Sequence, residues 1–187
     1  FRTTLLKEFL SSPRACISVL ENRLNHKDMQ LEDMDGDKLA AAEADTQTLT
    51  ELQDLARAVD EPTFPKYAAL RDRVQQILKE DKGKARVVIF SERIQTLEFL
   101  RESLIRDCKL KWKPGPPPKN GKITNEIETF HGSLDDQNQK ALVNSFGSKD
   151  SKIRVLLASD AAAEGINLHY YCNHLIHFDL PWSLITL

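Results

Sequence analysis

The segment 153–182, IRVLLASDAAAEGINLHYYCNHLIHFDLPW, constrains the fold more than any other part of the chain. Two short apolar runs, 153–158 and 174–178, frame a cluster of small, acidic and amide residues. The order reads as a strand, a polar turn, a glycine-containing loop, a second strand and a Pro-Trp stop. A short, nearly continuous apolar run suits a strand covered on both faces. A polar loop between two such strands is where an α/β protein forms a ligand edge.

Upstream, the pattern repeats. Residues 86–90 read as a strand, and 94–108 as a helix with Leu97, Leu100, Leu104 and Ile105 inward. Residues 109–125, KLKWKPGPPPKNGKITN, are rich in Pro and Lys and read as a surface loop that could also touch nucleic acid. Residues 127–130 form another strand. Ser133 and Asp136 resemble a capping box for a helix ending at Phe146. Alternating strands and helices predict an α/β fold: a parallel sheet, helices on both faces, right-handed crossovers.

The first third is different. Leu5, Phe9, Cys16, Leu20 and Leu24 predict two short helices broken at Pro13. Residues 28–61 hold eleven acidic residues against Lys38 and Arg57, and read as a solvated loop leading into a helix with Leu49, Leu52, Ala56 and Val59 inside. Tyr67, Leu70, Val74, Ile77 and Leu78 mark a further helix that ends at Asp81-Lys82-Gly83. The expected division is a helical segment, 1–65, followed by an α/β lobe, 66–187.

Charge and cysteine content narrow the class. Residues 1–82 carry 12 basic and 16 acidic residues, and residues 83–187 carry 14 and 12. Neither part is basic enough to hold nucleic acid by charge alone, so any contact must be local. Cys16, Cys108 and Cys172 are odd in number and widely spaced, which suits a reducing compartment. No apolar run is long enough for a bilayer and no signal peptide opens the chain. A cytoplasmic protein without membrane contact is expected. The first residue is Phe1, which suggests a cut fragment.

Several chemistries fail on spacing. In the DMDGD segment Gly36 stands fourth from Asp33, where a calcium loop needs it sixth, and the twelfth position is Ala44. In GPPPKNGKIT five residues separate Gly115 from Gly121, and Ile123 stands where a P-loop needs Ser or Thr. Ser91 lacks the glycines of a nucleophile elbow, so a triad with His131 and Asp160 is set aside. On a strand Cys172 and His174 face away from His177, so no metal site is expected.

What remains is the set of strand ends. Ser91-Glu92-Arg93, His131-Gly132-Ser133 and Ser159-Asp160 follow three strands, and each precedes a turn or a helix. Helix N-termini offer free N–H groups and partial positive charge, which suit phosphate. Three such tips on one edge would form a track for successive phosphates. Taken singly, Ser91 and Ser133 are more simply helix caps, and His131 a polar loop residue. Glu164, Gly165 and Asn167 follow in a loop able to reach from this track to a second site.

These residues resemble those of a known family. VVIFSERIQTLEFL, ETFHGSL and VLLASDAAAEGINLHYYCNHLIHFDLPW resemble the motifs of the second RecA-like lobe (the helicase C-terminal domain) of superfamily two helicases and translocases. EGINL with HFDLPW is most similar to the Swi/Snf group, particularly its bacterial members. LLKEFLSSPRACISVLENRL resembles the helical stretch between their lobes. The resemblance implies the motor lobe of an ATP-dependent DNA helicase or translocase, with a nucleoid-associated location. Ser91, Arg93, His131, Gly132, Ser159 and Asp160 would face the nucleic-acid backbone. Glu164, Gly165 and Asn167 would face the ATP cleft. ATP and Mg2+ would be held mainly by an N-terminal RecA-like lobe, and no catalytic residue is expected in this chain. The expected partners are double-stranded DNA, that other lobe and a recruiting protein. Ser183-Leu184 stands where the family commonly has Asn-Pro, and the chain ends before the motif that supplies the arginine finger, so the lobe is expected to be truncated and to lack ATPase alone. A non-catalytic scaffold module and an RNA helicase lobe are the competing readings.

Overall fold

The computed structural model describes residues 1–31, 37–59, 64–115, 123–159 and 171–179. It divides into two compact units, Phe1–Phe64 and Pro65–Leu187.

The first unit is helical. Helix α1 spans Arg2–Ser11, α2 Pro13–Leu31 and α3 Asp37–Arg57. Pro13 separates α1 from α2 because it lacks an amide hydrogen, yet it is tolerated in the first turn of α2. Ser12 caps that turn, its Oγ accepting from Ala15 N at 3.1 Å. Cys16 and Leu20 of α2 pack with Leu49 and Ala56 of α3. Gln53 and Arg57 of α3 both donate to Glu21 Oε1, at 3.3 and 3.2 Å. Three expectations change here. Helix α2 continues to Leu31, Leu52 is 39% exposed, and Val59 lies beyond the end of α3. Gln53 takes the inward position expected of Leu52, its amide satisfied by Glu21.

The second unit runs α4 (Pro65–Lys79), a 3-10 turn (Asp81–Gly83), β1 (Val87–Phe90), α5 (Ile94–Cys108), β2 (Ile127–Phe130), α6 (Asp136–Phe146), β3 (Val155–Ala158) and β4 (His174–His177). All pairings are parallel and the order is β2-β3-β1-β4. The chain steps from β1 two places to β2, then reverses to β3. Right-handed crossovers in opposite directions place α5 and α6 on opposite faces. The side chains agree. Val88, Leu156, Ala158 and Phe130 pack with Leu142 and Phe146 of α6. The alternate residues Val87, Ile89, Val155, Leu157 and Ile127 are fully buried beneath the other face. There α5 contributes buried Leu97, Leu100 and Leu104, while Ile105 is only half-buried.

Central and edge strands differ as their cover differs. β3 is buried throughout, whereas Leu175 on edge strand β4 is 59% exposed. Helix α6 begins two residues beyond the expected capping box. Its cap is Asp135, whose Oδ1 accepts from Asn138 N at 2.8 Å. A tight turn, Leu134 N to His131 O at 3.1 Å, precedes the cap and draws Ser133 away from the helix terminus.

Candidate nucleic-acid interface

Register fixes where the strands stop. Phe90 pairs with Ala158, Ala158 with Phe130, and Phe90 with His177. The next residues, His131, Ser159, Ser91 and Phe178, therefore form one rim in that spatial order. Ladder bonds continue into it: Ser159 N donates to Phe130 O (2.9 Å), Ser91 N to Ala158 O (3.1 Å) and Phe178 N to Phe90 O (2.8 Å). Asp160, Glu164, Gly165 and Asn167 lie outside the described residues.

The rim residues are not alike. Ser91 is fully buried and donates from Oγ to Asp179 Oδ2 at 2.5 Å. Lys66 Nζ meets the other oxygen of Asp179 at 2.6 Å and lies 4.0 Å from the centroid of the Phe178 ring. One buried carboxylate thus joins the start of α4, the end of β1 and the end of β4. A buried carboxylate is tolerated only when paired and hydrogen-bonded, and both conditions hold. Neither Asp179 nor Lys66 is singled out by sequence. The pair is 113 positions apart, and only the lone Asp in HFDLPW, following an apolar run, signals an enclosed acid.

Arg93 is the N-cap residue of α5, with extended backbone and no side-chain cap bond. The terminus of α5 thus opens at the rim beside a guanidinium, with its dipole favouring an anion. The terminus of α6 is different, because the carboxylate of Asp135 already occupies it. Of the helices that follow the strand tips, α5 therefore begins without a side-chain cap and α6 with one.

His131 is half-buried, and its Nδ1 is enclosed with no hydrogen-bond partner among the described residues. Burial pushes its pKa down; Glu98 opposes that shift and Arg101 adds to it. The imidazole is therefore neutral at neutral pH, able to donate or accept one hydrogen bond rather than supply charge. Gly132 is exposed, and a Cβ added there would meet no atom within 4 Å. The fold would therefore accommodate a side chain at this position. Ser159 is 8% exposed, which leaves its hydroxyl little access to solvent.

Cys172 and the two histidines of the last strand take separate roles. Cys172 Sγ donates to Arg86 O at 3.3 Å, and burial raises its pKa. His174 Nε2 lies 3.0 Å from Glu80, while His177 stacks on Phe90 with centroids 5.2 Å apart. No group of three or more potential ligands that could hold a metal occurs among the described residues. No described helix is long and apolar enough to cross a membrane.

A parallel sheet covered on both faces, with polar strand tips aligned on one rim, is the doubly wound α/β class to which RecA-like lobes belong. The chain belongs to the helicase conserved C-terminal domain family, which it matches over residues 69–187. It is 27% identical over 196 residues to "Uncharacterized ATP-dependent helicase YqhH" of Bacillus subtilis (strain 168), covering 98% of this chain and 26% of that protein. It is 32% identical over 101 residues to SNF2 domain-containing protein CLASSY 3 of Arabidopsis thaliana, covering 54% of this chain and 6% of that one. The chain thus spans about a quarter or less of the length of these relatives. Among solved structures, the C-terminal part of the Fun30 ATPase domain superposes with a TM-score of 0.50 at 22% identity, covering 80% of this chain and 41% of that one.

Proposed function

We propose that this chain is the second motor lobe of a Swi/Snf-type, ATP-dependent DNA translocase, and that the rim tracks one strand of duplex DNA. The alignment of three separate polar strand tips by sheet register carries this reading. The sequence resemblance and the SNF2-domain and helicase relatives support it. Arg93 would supply charge, the α5 terminus backbone donors, Gly132 close approach and His131 a neutral hydrogen bond. Ser91 would act indirectly, by holding Asp179 and hence the shape of the rim. Ser159, largely buried, and Asp160 would belong to the track on the strength of their sequence motif alone.

ATP with Mg2+ would supply the free energy of movement, bound mainly by an N-terminal RecA-like lobe. Glu164, Gly165 and Asn167 would approach the nucleotide from this side, a role carried by their sequence motif alone. The contribution of this chain would be to position the strand and to transmit closure of the cleft, with charge stabilisation supplied by groups elsewhere. A recruiting protein would select the target.

The test is Arg93→Ala in the full-length protein. DNA-stimulated ATPase should fall on the order of tenfold, as expected when one charge-assisted bond to phosphate is removed. Basal ATPase should be unchanged. Equal loss of both activities would overturn the track.

A further inference from the structure

The opposite end of the sheet carries an unassigned surface. Three segments enter the amino ends of β1, β2 and β3, and each bears exposed lysines. Lys79, Lys82 and Lys84 precede β1. Lys109, Lys111 and Lys113 precede β2, and Lys149 and Lys152 precede β3. None of these ammonium groups has an ion-pair partner among the described residues.

The segments before β1 and β3 are tied together from beneath by two arginines. Arg86 donates to Phe146 O and, at 3.0 Å, to Lys149 O. Arg154 donates to Ala85 O at 2.7 Å and to Leu78 O at 3.2 Å. Lys111 is fixed as firmly, its N donating to Glu126 Oε2 and its carbonyl accepting from Glu126 N, both at 2.8 Å. Asn125 bonds Lys113 N and O at 3.0 and 3.1 Å. Of the nearby acids, Glu80 pairs with His174, Asp107 with Tyr67 and Arg106, and Glu126 with the backbone of Lys111, while Asp81 and Asp150 are exposed beside the lysines; the eight lysines outnumber these five acids. Lys82 and Lys109 also hold left-handed backbone, φ 52° and 54°. Glycine or asparagine would be about 1 kcal/mol cheaper there.

We infer that this lysine-bearing amino-end pole is a second, sequence-independent contact for the phosphate backbone of double-stranded DNA, separate from the carboxyl-end rim. Four-residue strands separate the two ends by roughly 13 Å, beyond the Debye length of about 8 Å at physiological salt. Charge at one end therefore adds little at the other. The residue type selects the polyanion. Carboxylates of a protein partner are matched best by bidentate arginine, and here Arg86 and Arg154 are turned onto carbonyl groups while the exposed Arg106 is engaged by Asp107. Flexible lysine ammoniums suit phosphates read without regard to sequence. The choice of DNA as the polyanion rests on the function proposed above; the basic pole does not.

The experiment is a salt titration of binding of the 187-residue chain to a short duplex of mixed sequence. The Lys111→Gln, Lys113→Gln, Lys149→Gln, Lys152→Gln combination should flatten the slope of log affinity against log salt by on the order of 0.9 for each phosphate that is no longer neutralised. Arg93→Ala should flatten the same slope by only about one such step. An unchanged slope in the lysine variant would overturn the pole. So would poly-glutamate of matched charge binding as tightly as the duplex, which would make the partner an acidic protein. A flattened slope in the lysine variant with no effect of Arg93→Ala would support the pole and count against the rim. If the combined variant fails to fold, the 111/113 and 149/152 pairs give the same reading separately.

Discussion

At the carboxyl end of the sheet the Asp179 carboxylate is enclosed and holds both Ser91 and Lys66. At the amino end Lys111, Lys113, Lys149 and Lys152 stand in solvent, while Arg86 and Arg154 are turned inward onto carbonyl groups. The two ends use the same kinds of side chain for different purposes. A polar group whose bonds are satisfied inside the fold shapes a surface. One left exposed without a partner can bind something. Ser91 belongs to the first kind although its motif invites the second.

The largest expected effect is at the rim. Asp179→Ala leaves the buried Ser91 hydroxyl without its acceptor and Lys66 without its carboxylate, and should destabilise the chain by about 2–3 kcal/mol. Ser91→Ala removes one hydrogen bond to a charged group and should cost about 1.5 kcal/mol. Lys111→Gln at the other end should change stability by less than about 0.5 kcal/mol. Urea midpoints at constant m-value read all three. If Ser91→Ala lowered DNA affinity with no loss of stability, the division between shaping and binding groups would fail.

His131 sharpens the comparison through pH. Its pKa is lowered in the fold, so below about 6.5, the ordinary histidine value, the unfolded chain binds more protons than the folded one. This residue should therefore make stability fall as the pH drops through that window. Comparison of His131→Asn with the parent at pH 7 and pH 5 checks it: the variant should lose less stability on acidification. An equal loss would mean that the imidazole titrates normally. The smallest effect belongs to Gly132. Gly132→Ala should leave stability within about 0.5 kcal/mol, since the added Cβ meets nothing. DNA affinity should nevertheless fall if backbone approaches that point.

Much of the lobe is legible because its signals are local. The apolar runs that became β1, β2 and β3 and the leucine spacing of α5 each depend on burial within a single element. Helix α5 and β2 run between the expected residues. Signals that compete locally are harder to read. Asp135 and Ser133 are both good N-caps, two positions apart, and the turn at His131–Leu134 chose between them. Leu52 and Gln53 both fit an inward face of α3, and Glu21 on another helix decided it.

Sequence by itself determined the strand and helix alternation, the parallel class of the sheet and the polar character of the strand tips. These follow from periodicity and chain connectivity, which act over a few residues at a time. Tertiary structure alone decided the order β2-β3-β1-β4, the pairing of Asp179 with Ser91 and Lys66, and the gathering of lysines from three segments at one pole. Each depends on register between segments distant in sequence, set by the packing of α5 and α6 on opposite faces rather than by any residue's own preference.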